Sequence, residues 1–176
     1  MIRTSNPNEE KQHRHIVFFN DEVDEGPIMD LIQELESSPS VDLFFSTEGG
    51  TTLLMEMLIH CLNNHGDVNI YLNYQLMSAG VEVLTKFNGK VFITPGFELM
   101  MIHCYDRKLY SKRDMDFDKK RLNEGLAKQN AQIRKEYKEL GFSKKELKRF
   151  DKGEDVWWYR TEIEDNLGKL KNVTIL

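Results

Sequence analysis

Val41-Asp42-Leu43-Phe44-Phe45 runs into Ser46-Thr47-Glu48-Gly49-Gly50, after which Leu53, Leu54, Met57, Leu58 and Cys61 recur at helical spacing as far as Asn63-Asn64-His65-Gly66. The opening five residues are apolar and rich in strand formers, and the later spacing traces one face of a helix. Two glycines at the junction let the backbone turn sharply between the two elements. A strand that passes directly into an amphipathic helix is half of a βαβ unit, and Val68-Asn69-Ile70-Tyr71-Leu72 supplies the second strand. This stretch therefore predicts an α/β domain with a largely parallel sheet.

The same alternation extends in both directions. Upstream, His15-Ile16-Val17-Phe18-Phe19 reads as a buried strand, and Asp24-Glu25-Gly26-Pro27 opens a helix with Ile28, Leu31, Ile32 and Leu35 on one face before Ser37-Ser38-Pro39 stops it. Downstream, a short helix from about Ala79 to Lys86 precedes Asn88-Gly89, and two strands follow, Lys90 to Ile93 and Glu98 to Ile102. From 114 to 140 the pattern becomes one long charged helix with a narrow apolar stripe, Leu122, Leu126, Ile133, Tyr137 and Leu140. That stripe packs on its own domain or meets another subunit. A short helix from Phe142 to Phe150, an acidic turn, the aromatic run Val156-Trp157-Trp158-Tyr159, a helix from near Thr161 to Gly168 and a closing stretch from Val173 to Leu176 complete the expected order.

A chain of 176 residues fits one domain, 1–176 with a polar tail over 1–14, and needs no metal or disulfide to hold a core. The two cysteines, Cys61 and Cys104, form no Cys-x-x-Cys pair, which points to a reducing compartment, and neither a signal peptide nor an apolar run of membrane-spanning length is seen. A cytoplasmic location is expected, with no membrane partner. The net charge of −5 conceals an asymmetry: residues 1–106 carry −11 and residues 107–152 carry +8. Lysines mixed with glutamates along one helix are read as a solvated face in preference to a nucleic-acid surface.

Three features can carry chemistry. Gly49-Gly50 lies where free N–H groups aim past a helix N-terminus, either an oxyanion site or an ordinary βα turn. Ser78, in Gln75-Leu76-Met77-Ser78-Ala79-Gly80, stands between a strand and a helix with small residues behind it, either a nucleophile or an N-cap. His103 ends the strand Leu99-Met100-Met101-Ile102 and so emerges beside loops, either a base or a lone structural histidine. A serine hydroxyl needs an imidazole to take its proton, and a carboxylate to fix the imidazole tautomer.

In their order, these motifs resemble the Clp protease proteolytic subunit, ClpP, whose family carries Ser-Pro-Gly-Gly, then Gln-Ala-Ala-Ser-Met-Gly-Ala, then Met-Ile-His. The counterparts are Ser46-Thr47-Glu48-Gly49-Gly50, Gln75 to Val81 and Met101-Ile102-His103, with the family's usual 25 residues from Ser78 to His103. The family's Arg-Asp-x-x-x-Asp pattern is answered by Phe150-Asp151-Lys152-Gly153-Glu154-Asp155. The resemblance spans about His15 to Asn172. It implies a ClpP/crotonase superhelix of β-β-α units, a handle helix near 114–140 joining two stacked seven-membered rings, and a serine endopeptidase working in an enclosed chamber without cofactor or metal. It implies Ser78 as nucleophile, His103 as base, Asp151 as orienting carboxylate with Asp155 as the fallback, and the N–H groups of Gly50 and Ala79 as oxyanion donors. Substrates would be peptides or unfolded proteins, and an AAA+ ATPase unfoldase is a candidate partner.

The chain also departs from the family. Glu48 replaces the proline beside the oxyanion hole, where a carboxylate repels developing negative charge or selects cationic substrates. Cys104-Tyr105 replaces Gln-Pro after the histidine, and residues 106–113 lack the glycine-rich strand on which the family lays out its peptide. Two alternatives follow: a catalytically weak or inactive ring subunit, and a crotonase-type enzyme acting on acyl-coenzyme A thioesters.

Overall fold

The computed structural model describes residues 13–103 and 116–176. The expectations placed on the first twelve residues and on 104–115, including Cys104-Tyr105 and the missing glycine-rich strand, lie outside the described residues, as do the side chains of Leu122 and Leu126.

The chain is a mixed α/β fold around one six-stranded sheet. Strand β1 (His15–Asn20), helix α1 (Glu25–Glu36), β2 (Val41–Thr47), α2 (Thr52–His65), β3 (Val68–Met77), a 3₁₀ turn (Ser78–Val81), α3 (Glu82–Lys86) and β4 (Lys90–Ile102) follow one another as βαβ units. They give a parallel sheet in the order β1-β2-β3-β4. Beyond it lie α4 (Asp116–Leu140), α5 (Lys144–Asp151), β5 (Val156–Tyr159), α6 (Arg160–Leu167) and β6 (Val173–Ile175). Strands β5 and β6 share the free edge of β4: β5 runs antiparallel beside Leu99–Ile102, and β6 parallel beside Val91–Ile93.

Alternation sorts the strand residues to two faces. Val17, Phe19, Val41, Leu43, Phe45, Ile70, Leu72, Val91 and Ile93 are buried and join one core with Ile28, Leu31, Ile32 and Leu35 of α1 and Met55, Leu58, Ile59 and Leu62 of α2. On the opposite face, Phe18, Phe44, Tyr71 and Phe92 stand in register across four strands and stack with ring centroids 5.1, 4.9 and 4.8 Å apart. Such in-register pairs stabilise a sheet beyond the area they bury.

Sequence and structure differ at β4. Pro95-Gly96 marks a break between two expected strands, whereas one strand of thirteen residues runs through it. Its pairing with β3 jumps from Leu72↔Ile93 to Tyr74↔Phe97, so three residues bulge against one, and a proline without a donor is tolerated there. On the outer edge, between the segments paired to β6 and β5, the Arg160 guanidinium donates to the carbonyls of Thr94 (2.6 Å) and Phe97 (3.1 Å), supplying donors where no strand lies.

The C-terminal part of α4 packs on its own chain. Ile133, Tyr137 and Leu140 are buried, and Tyr137 meets Phe150 edge-on at 5.4 Å. Phe142 stacks on the buried Trp158 at 3.7 Å. Helix α5 opens with a capping box, the Ser143 N–H donating to Glu146 Oε2 (2.7 Å), and the Trp158 indole N–H donates to Glu146 Oε1 (2.6 Å). No helix among the described residues is long and apolar enough to cross a membrane.

Candidate active site

Ser78 is the first residue after β3 and opens the 3₁₀ turn that leads into α3. Its φ is +49°, and Tyr74 is the one other non-glycine residue with positive φ among the described residues. A left-handed non-glycine residue costs about 1–3 kcal/mol and persists only where its surroundings hold it, which is common at reactive sites. A serine in this conformation between a parallel strand and a helix lifts its hydroxyl clear of both elements, as in a nucleophile elbow.

The turn after β2 is built against that serine. Gly49 has φ +94°, and a Cβ there would lie 2.6 Å from Ser78 Cβ and 2.8 Å from the Met77 carbonyl oxygen. Gly50 has φ +142°, and a Cβ there would meet the Val23 carbonyl oxygen at 2.5 Å. Only glycine satisfies both the torsion and the space. The Val23 N–H donates to the Gly49 carbonyl (2.7 Å) and the Thr51 N–H to the Val23 carbonyl (2.9 Å), while the Gly49 N–H donates to Thr47 Oγ1 (3.0 Å). The Gly50 N–H takes no part in that bridge. Ala79 stands in the first turn of a helix, where N–H groups have no partner within it.

His103 follows the last residue of β4. Because Met77 pairs with Met101 in the parallel ladder, the serine and the histidine leave the carboxyl ends of adjacent strands. His103 Nδ1 lies 2.6 Å from Asp155 Oδ1. An ionised carboxylate only accepts, so Nδ1 is the donor, and the ring then holds its lone pair on Nε2, the tautomer a general base requires. No hydrogen bond joins Ser78 to His103 among the described residues.

The carboxylate at the imidazole is thus Asp155 and not Asp151. Ile102 pairs with Val156 in the antiparallel ladder, which sets the next residue on β4, His103, beside the preceding residue on β5, Asp155. Asp151 ends α5 instead and takes two hydrogen bonds from the Arg134 Nε–H, at 2.9 and 3.0 Å, tying α5 to α4. Arg149 steadies the intervening turn, donating to Glu154 Oε2 (3.1 Å) and to the Asp155 carbonyl (3.0 Å).

A cleft of about 290 Å³ opens where the ends of β1 and β2 meet the kinked part of β3, and Ser78 is not among its lining residues. Asp21, Glu22 and Glu48 line it together with Asn20, Tyr74 and Gln75, and Gln75 Nε2 donates to Glu48 Oε1 at 3.3 Å. Three carboxylates without a cation among the lining residues give this cleft a negative field. Only Glu48 could be anticipated from sequence, because the others come from the end of β1 and from the left-handed kink at Tyr74. No group of three or more histidine, cysteine or carboxylate side chains is placed to hold a metal among the described residues.

No protein-family model matches the chain, and no curated protein matches it.

Proposed function

We propose that this chain is a serine hydrolase of the ClpP type that cleaves peptide bonds through an acyl-enzyme. The observation that carries the proposal is a serine held left-handed at a strand-to-helix turn, one strand away from a histidine whose Nδ1 is bonded to a carboxylate. Ser78 Oγ attacks the carbonyl carbon as its proton passes to His103 Nε2. The imidazolium, stabilised by Asp155, returns that proton to the leaving amine, and water then releases the acid by the same route. The N–H groups of Gly50 and Ala79 face the oxyanion. Glu48 and its neighbouring carboxylates favour peptides with positive charge near the cleaved bond.

The ClpP/crotonase-like superhelix is part of the same proposal. So are α4 as a protruding handle, assembly into stacked seven-membered rings enclosing a chamber, a cytoplasmic location and feeding by an AAA+ unfoldase. The parallel βαβ order and the placing of the serine and histidine support the first of these. The test is labelling of the full chain by a fluorophosphonate probe together with hydrolysis of cationic peptides. Wild type should react at one residue, and Ser78→Ala should lose both activities by ~10⁴ or more. Undiminished hydrolysis in pure Ser78→Ala would refute the mechanism.

One observation favours a second proposal, a ring subunit without hydrolytic activity: the serine and the histidine share no hydrogen bond. It predicts a normal oligomer that the probe leaves unlabelled.

A further inference from the structure

Glu82 is the one charged side chain fully buried among the described residues, at 4% exposure, and it stands one helical turn beyond Ser78. Lys86 Nζ donates to Glu82 Oε2 at 2.8 Å and to Glu56 Oε1 of α2 at 3.1 Å. Thr85 Oγ1 donates to Glu136 Oε2 of α4 at 3.3 Å, and Asn63 of α2 donates to the Lys86 carbonyl at 3.0 Å. The segment from Ser78 to Lys86 is only nine residues long, too short to hold a helix alone, yet it begins at a strained φ. Its polar side is pinned to α2 and to α4.

This burial carries a cost at neutral pH. Desolvation pushes the Glu82 carboxyl up, Lys86 pulls it down, and Glu56 and Glu136 push it up again, leaving it above its ordinary value. A carboxyl raised on folding adds stability below its unfolded value near 4.5 and loses it as pH rises through the folded one. Lys86, facing Glu82 and Glu56, is raised above its ordinary value, so the same pair returns stability on the lysine side. A buried carboxylate–lysine pair is weak support for stability, and one set a single turn from Ser78 calls for another reason.

We propose that Glu82 and Lys86 are positioning residues, a charged clamp that ties the serine-bearing segment to α2 and α4 and so keeps Ser78 in its left-handed conformation. The clamp rests on the hydrolase proposal. Its test is the rate of fluorophosphonate labelling, followed against pH beside the thermal midpoint of each full-length variant. Glu82→Gln should label about tenfold or more slowly at neutral pH while melting no earlier than wild type, and the shape of its pH profile should change. Lys86→Met should also slow labelling, and Lys86→Arg should restore it. Wild-type rates and an unchanged pH profile in Glu82→Gln, or slow labelling only in variants that melt earlier, would overturn the clamp alone. An unlabelled wild type overturns the hydrolase and the clamp together. Should Glu82→Gln not fold, the Lys86→Met and Lys86→Arg pair decides: rescue by arginine supports the clamp, and failure of both to differ from wild type refutes it.

Discussion

Asp151 and Asp155 are four residues apart and chemically alike, and the structure gives them different work. Asp155 accepts from the imidazole at 2.6 Å, whereas Asp151 accepts twice from Arg134. Asp155→Asn should therefore cost ~10⁴ in kcat, because an amide no longer enforces the Nδ1–H tautomer. Asp151→Asn should leave kcat within a few-fold and lower the thermal midpoint instead, since its ion pair is half exposed and worth about 1 kcal/mol or less. Steady-state kinetics and melting of the two variants check the assignment. Ser78, His103 and the two glycines could be singled out in the sequence because each follows the end of an apolar strand. The carboxylate bonded to His103 could only be narrowed to Asp151 or Asp155, because the choice depends on how β5 pairs with β4, and a motif of two aspartates carries no register.

Among elements, the βαβ order up to β3 was legible for the physical reason that apolar periodicity changes there from two to 3.6 at each glycine-bearing junction. The two strands expected over 90–93 and 98–102 are one, because the turn-forming Pro95-Gly96 between them also fits a bulge, and only the Arg160 side chain, 63 residues away from Phe97, shows how the carbonyls beside it are satisfied. The lobe formed by α5 and β5 has its own weak point. Desolvation alone would raise the Glu146 carboxyl, but bonds from Ser143 and Trp158 and the nearby Arg149 outweigh it and hold the group below its ordinary value. A carboxyl lowered on folding adds stability above its unfolded value near 4.5 and loses it as pH falls through the folded one. Acidification through and below that range should thus loosen this lobe. The stacked Trp158 reports it, so its fluorescence should shift before far-ultraviolet circular dichroism does.

At the scale of the whole molecule, a parallel sheet is ordinarily covered on both faces, and among the described residues α1 and α2 pack on the face of Val17, Phe19 and Leu43. Phe18, 74% exposed, and Ile16, 56% exposed, stand on the other beside the stacked rings. As a subunit of a ring, the chain should sediment as a large oligomer, and its thermal midpoint should rise with protein concentration by mass action; a monomer with a concentration-independent midpoint would remove the enclosed chamber from the proposal. The sheet has a further property. Its first four strands lie side by side in the order in which they are made, and the last segments close onto β4. During synthesis each strand therefore finds its neighbour already in place, but the imidazole waits for Asp155, which is made 52 residues after it. For the proposed hydrolase, a nascent chain would thus carry the hydroxyl and the imidazole for some seconds before the carboxylate that fixes the tautomer, a built-in delay between folding of the sheet and onset of activity.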